Sequence, residues 1–170
     1  MKLTRNAVRS LTTVAAVVII VLSADLVTAQ SDAHKSFDLL KGLEGNWAGK
    51  GSEGLPVRVT FRMTAGGSAL MSEILGRGPE NMITMFHMDG DRLLMTYYCG
   101  AGNQPRMKVI ASDTKSVSFE FMDGTNIGPG AGHMQRVTIT QPDANHHVEE
   151  WVFLDHGKET KEVFVLEREK

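Results

Sequence analysis

Apolar and polar positions alternate along most of the chain. Val57, Val59, Phe61 and Met63 alternate with Arg58, Thr60 and Arg62, which predicts a strand with one face on a core and one in water. Val117, Phe119 and Phe121 repeat the pattern after an Asp113-Thr114-Lys115 turn. Further strands are predicted over 45–51, 68–76, 107–111, 133–140, 146–154 and 159–166, separated by Gly-, Pro- and Asn-rich turns. Only residues 31–45 read as a helix: Phe37, Leu39, Leu40 and Leu43 form an apolar stripe after a Ser31-Asp32 cap and before Gly42 and Gly45. So short a helix is marginal alone and is expected to pack as a lid or plug on a sheet.

The most informative stretch is residues 81–107, NMITMFHMDGDRLLMTYYCGAGNQPRM. Asp89-Gly90 lies between two apolar runs and suits a two-residue hairpin turn. Closing on it would pair Met88 with Asp91, Phe86 with Leu93, Thr84 with Met95 and Met82 with Tyr97. The opposite face then carries Asn81, Ile83, Met85, His87, Arg92, Leu94, Thr96 and Tyr98. Both faces are rich in apolar residues. One could lie on a core and the other on a cavity or second layer, or the hairpin could be buried on both sides.

About ten short strands follow one another with no βαβ crossover. This predicts an all-β fold: an antiparallel up-and-down barrel of about ten strands with one short N-terminal helix. Sequential hairpins favour the meander over a Greek key, which needs longer returns.

The first residues read as an address. Lys2, Arg5 and Arg9 form a basic region, residues 11–22 are apolar, and Val27-Thr28-Ala29 fits a small-x-small cleavage site. The expectation is a signal peptide over 1–29, a barrel domain over 30–170, and a periplasmic or secreted protein with no stable membrane insertion after cleavage. The apolar run is shorter than the roughly 20 residues a spanning helix needs. Loss of Lys2, Arg5, Arg9 and Asp25 takes the formal charge from −2 to −4. A mildly acidic chain without a basic cluster is a poor partner for nucleic acid. Cys99 is the single cysteine, so no internal disulfide forms, and a buried inert thiol is the simplest reading.

Gly45-Asn46-Trp47 after a short helix resembles the Gly-x-Trp opening of lipocalin-like (calycin) barrels. The strand count is closer to the fatty-acid-binding and nitrobindin-like branches than to eight-stranded lipocalins. The run His87-Met88-Asp89-Gly90-Asp91-Arg92-Leu93, with Tyr98-Cys99 and residues 103–107, is similar to a stretch in secreted bacterial proteins without an assigned activity. The calycin resemblance implies a cavity for a small apolar ligand. Nitrobindin-like proteins bind haem through a late histidine. None of His133, His146, His147 and His156 aligns securely to that position, so no cofactor is expected.

The loop from Tyr98 to Arg106 is the first candidate for chemistry. Its amide and guanidinium groups could hold a polar ligand head by charge-assisted hydrogen bonds; alternatively Arg106 pairs with a carboxylate such as Glu73 or Glu120. The expected ligand-binding residues are Tyr98, Asn103, Arg106 and His87, with Met85, Phe86, Met95 and Tyr97 as apolar wall. No catalytic residue is assigned. Cys99 lies far from His87 in the expected register, beyond the hydrogen-bond reach that nucleophile activation needs. No metal site is assigned either: Met82, Met85 and Met88 alternate faces, and His146 and His147 diverge. Glu149 and Glu150 diverge likewise and read as solvated surface. The leading expectation is a binding protein for a small, largely apolar molecule, monomeric or homodimeric. The alternatives are an enzyme using the same cavity with His87 or His133 as general base, and an accessory protein with a filled barrel.

Overall fold

A computed structural model of the chain describes residues 32–75 and 81–170. The proposed signal segment lies outside the described residues. A helix, α1, runs over residues 32–41. Ten strands follow: β1 (Gly45–Lys50), β2 (Pro56–Thr64), β3 (Ala69–Leu75), β4 (Met82–Asp89), β5 (Arg92–Tyr98), β6 (Gln104–Ser112), β7 (Ser116–Thr125), β8 (His133–Asp143), β9 (His146–Asp155) and β10 (Lys158–Arg168). Each pairs antiparallel with its sequence neighbours, and β1 pairs with β10 to close the barrel. The expected up-and-down barrel of ten strands is therefore the observed fold.

Alternation sorts the side chains. Val57, Val59 and Phe61 of β2 are buried at 2% exposure or less, whereas Arg58 and Arg62 are exposed. Pairing carries the inward row onward: Phe61 faces Ser72, Leu70 faces Phe86, and Phe86 faces Met95. Gly49 lies between the closing strands, where a Cβ would come 1.9 Å from the Val165 carbonyl oxygen. Only glycine lets β1 approach β10 so closely at that point.

Helix α1 covers one end of the barrel. Phe37, Leu40 and Leu43 join Trp47 and Leu166 in the core, and the Trp47 indole donates to the Leu43 carbonyl at 2.7 Å. Arg168 fastens this end: its guanidinium lies 4.1 Å over the Trp47 ring and donates to the carbonyls of Gly42, Glu44 and Ala144. The opposite end carries the loops 51–55, 99–103 and 126–132. We call the two the helix end and the loop end.

The central hairpin departs from its expected register. Met88 pairs with Leu93, Phe86 with Met95 and Thr84 with Tyr97, while Asp89 and Arg92 flank the turn and their side chains pair. The two turn residues are thus Gly90 and Asp91, with φ +58° at Gly90 and Asp91 outside the left-handed region. That is the II′ pattern, glycine first, rather than the I′ turn suggested by Asp-Gly. The slip is two residues, so every side chain keeps its face.

Strand β6 also starts earlier than its apolar pattern suggests, at Gln104. Pro105 sits inside it without an N–H to give, and pairing with β5 begins only at Thr96–Arg106.

Candidate functional site

The alternation of β9 brings His147, Glu149 and Trp151 to the interior, at 0%, 0% and 4% exposure. Glu149 Oε2 accepts from Trp151 Nε1 at 2.9 Å, and Oε1 lies 3.0 Å from His147 Nε2. With the carboxylate accepting, Nε2 carries a proton, and Nδ1 presents a lone pair in the neutral imidazole or an N–H in the imidazolium. The imidazole meets Trp47 and Phe61 edge to face, at ring centroid distances of 4.3 and 5.6 Å. The belt then continues around the barrel by register. Phe61 faces Ser72, Ser72 faces Thr84, and Thr84 faces Tyr97. The Tyr97 ring returns to Trp151 at 5.0 Å. A belt of polar and aromatic groups thus runs from β9 across β1–β5 and back to Trp151. Buried ionic groups are costly unless partnered, and here the acid and base partner each other.

Among the described residues three buried side-chain atoms have no hydrogen-bond partner: Thr84 Oγ1, His147 Nδ1 and Asn103 Oδ1. The first two belong to the belt. Asn103 lies nearer the loop end, and its Nδ2 donates to the Gly132 carbonyl at 2.8 Å. That bond fixes the amide orientation and leaves the oxygen as an unpaired acceptor.

Toward the loop end the interior changes character. Met82, Phe121, Phe153 and Glu162 lie on inward rows but are only half-buried. Tyr97 donates its hydroxyl to Met82 Sδ at 2.7 Å. Strand pairing also stops short here. The β7–β8 ladder ends at Glu120–Arg136, although β7 continues to Thr125 and β8 begins at His133. In that seam the Phe121 ring stacks against His133 at 4.3 Å. Asn103 bridges above it to Gly132. A Cβ on Gly132 would sit 2.7 Å from the Phe153 ring, so glycine lets the 126–132 loop lie on that ring.

The residues expected to bind ligand divide among three places. Phe86, Met95 and Tyr97 are inward and buried, and Asn103 is buried under the loop end. Met85, His87 and Tyr98 lie on the outer face of the hairpin, Tyr98 being 49% exposed. Arg106 is also outward. It grips Asp123 through two donors, Nε at 2.5 Å and a terminal nitrogen at 2.7 Å. The hydrogen bond and charge of Asp123 raise its pKa. Its partner is thus a carboxylate, as the alternative reading expected, but on β7 and not Glu73 or Glu120.

The residues that sequence reasoning missed are Thr84, His147, Glu149 and Trp151. Glu149 and Glu150 do diverge, but only Glu150 is at the surface, where it pairs with Lys161. Glu149 is inside, which corrects the solvated reading. The signal was present as His-x-Glu-x-Trp at strand spacing, in phase with Val137 and Ile139 across β8. Of the two histidines considered as general bases, His87 makes only a 3.4 Å contact with the Met88 carbonyl oxygen. His133 contacts the Ala131 carbonyl oxygen at 3.0 Å and Gln135 at 3.3 Å. Among the described residues the one buried histidine–carboxylate pair, His147–Glu149, is at zero exposure, out of a substrate's reach. Among the described residues no group of three or more His, Cys, Asp or Glu is placed to hold a metal ion. No protein-family model matches the chain, and no curated protein matches it.

Proposed function

We propose that this protein binds a small, largely apolar molecule in the loop-end half of its barrel and acts in the periplasm or outside the cell as a lipocalin-like carrier. The observation that carries the reading is the graded burial of inward-facing side chains toward the β7–β8 seam. Phe119 and Met95 are at 0% exposure in the middle, Met134 is at 7%, and Phe121, Phe153 and Met82 are half-buried. Apolar side chains that face a barrel interior yet remain accessible suit an apolar ligand, with a few placed polar groups for orientation. The closed middle limits how far a ligand can enter. Tyr97 and Trp151 form its floor, and the Glu149–His147 pair lies beyond them. In this reading residues 1–29 are the cleaved signal peptide and the carrier is a monomer or homodimer.

The test uses the chain's own reporters. Both tryptophans, Trp47 and Trp151, are inward and buried. Titration with the neutral apolar fluorophore N-phenyl-1-naphthylamine is expected to quench tryptophan emission saturably, with matching gain in probe emission. The signal should persist in Trp47→Phe and be largely lost in Trp151→Phe. Absence of any saturable change in the wild type would overturn the reading.

A further inference from the structure

Each unsatisfied atom of the interior has a state in which it accepts a hydrogen bond. Asn103 Oδ1 is an acceptor only, because its amide nitrogen is committed to Gly132. His147 Nδ1 accepts in the neutral imidazole, but it lies beyond the Tyr97–Trp151 floor. Thr84 Oγ1 can accept as well as donate. Buried polar atoms in folded proteins are nearly always paired, so the Asn103 acceptor, with the Thr84 hydroxyl able to accept beside it, favours a ligand that brings a donor.

Charge points the same way. Among the described residues the only buried acidic or basic side chains are His147 and Glu149, and they are spent on each other. Arg58, Arg62, Arg92, Arg106 and Arg136 are exposed. Arg168 sits on the inward row of β10, but at the helix end, with its guanidinium taken by three carbonyls. Nearer the loop end the inward row carries a second carboxylate, Glu162, which accepts from the Ser52 amide at 2.9 Å. Among the described residues the inward row at the loop end carries one cation, Lys158, exposed at the rim, so an anionic head group passing deeper would lose its water beside Glu162 and Glu149 with no Lys or Arg on its own level.

Building on the carrier reading above, we propose that the ligand's polar end is a hydrogen-bond donor without negative charge, a hydroxyl or an ammonium group, and that the barrel discriminates against carboxylates. Such a donor would meet Thr84 Oγ1 at the level of the Tyr97 floor or Asn103 Oδ1 nearer the loop end.

The test is competition against N-phenyl-1-naphthylamine by three molecules of one chain length: 1-octanol, octylamine and octanoate, at neutral pH. Octanol and octylamine are each expected to displace the probe at concentrations at least about a hundredfold below octanoate, since desolvating an unpaired carboxylate costs several kcal/mol. Thr84→Val, close in shape, should weaken octanol by up to about tenfold, the worth of one hydrogen bond, relative to the probe affinity measured on the same variant. Equal competition by octanoate would overturn the inference while leaving the carrier reading intact. So would probe binding with no competition from either octanol or octylamine. Failure of the probe itself to bind would overturn both.

Discussion

The pair His147–Glu149 is the most consequential side-chain arrangement in the barrel because neither member touches water. Removing one leaves the other buried and uncompensated. Glu149→Ala is therefore expected to cost about 3–5 kcal/mol, whereas replacing both by leucine should recover most of that loss. Urea denaturation of the two variants and the wild type, compared at constant slope, separates these outcomes. Thr84 makes the opposite case. Its hydroxyl is buried and unpaired, so Thr84→Val trades an unsatisfied group for a methyl of similar shape. In the ligand-free protein that change should be neutral or stabilising by about 1 kcal/mol. A marked loss of stability would mean that the hydroxyl has a partner after all. Both residues lie in strands that the alternation pattern identified. Alternation assigns a face, however, and not the side of the sheet on which the core lies, and a glutamate is the residue type least expected inside. Burial of Glu149 depends on Trp151 and His147 arriving in the same row, which is decided by the closing of the whole sheet.

Among the elements, turns and close approaches were legible to different degrees. The Asp89–Arg92 hairpin was readable because Asp-Gly between apolar runs has few other uses, but two adjacent two-residue closures were compatible with it. Gly90 alone takes positive φ, and the side-chain pair of Asp89 with Arg92 fits the register observed. A shift of two residues is invisible to face-sorting, so the sequence could divide the side chains between two faces correctly while misjudging their partners and leaving open which face looks inward. Gly49 carries no comparable signal, since its need arises only where β1 meets β10 across more than a hundred residues of chain. Gly49→Ala should cost about 3 kcal/mol or more, because the Cβ would meet backbone and no side chain can yield. Thermal unfolding of that variant gives the check. The β8–β9 turn makes a pH-dependent contribution. Asp143 accepts from the Asn145 amide and from His146, and the first of these contributes most to holding its carboxyl below the ordinary value of 3.8. A lowered folded-state pKa stabilises the fold above the unfolded value, and the gain is lost as pH falls through the folded one. The difference in Tm between the wild type and Asp143→Ala is thus expected to be present at pH 6 and to vanish in acid below pH 3.8.

At the scale of the molecule, the barrel is closed by pairing but not uniformly stable along its length. The helix end is tied by α1, by Trp47 and by the four carbonyl and ring contacts of Arg168. The loop end has the β7–β8 ladder ending at Glu120–Arg136 and the β5–β6 ladder ending at Thr96–Arg106. The β6–β7 hairpin therefore brings its open end to the loop end with β7 unpaired to β8 there, while the Cys99 N–H still donates to the Asn103 carbonyl on the β5 side at 3.0 Å; Arg106–Asp123 holds it on the outside and the Asn103–Gly132 bridge spans the seam. Local opening is cheapest where backbone ladders are shortest and side chains are half-exposed. Amide hydrogen exchange should show peptides over 121–135 exchanging well before those over 116–120 and 136–140, which share the β7–β8 ladder. If the seam is the route by which a ligand reaches Tyr97 and Trp151, saturating 1-octanol should slow exchange over 121–135 and leave the helix end unchanged. Uniform protection on both sides of the Glu120–Arg136 boundary would show that the seam is as firm as the ladder. The entry path would then have to lie elsewhere among the loops.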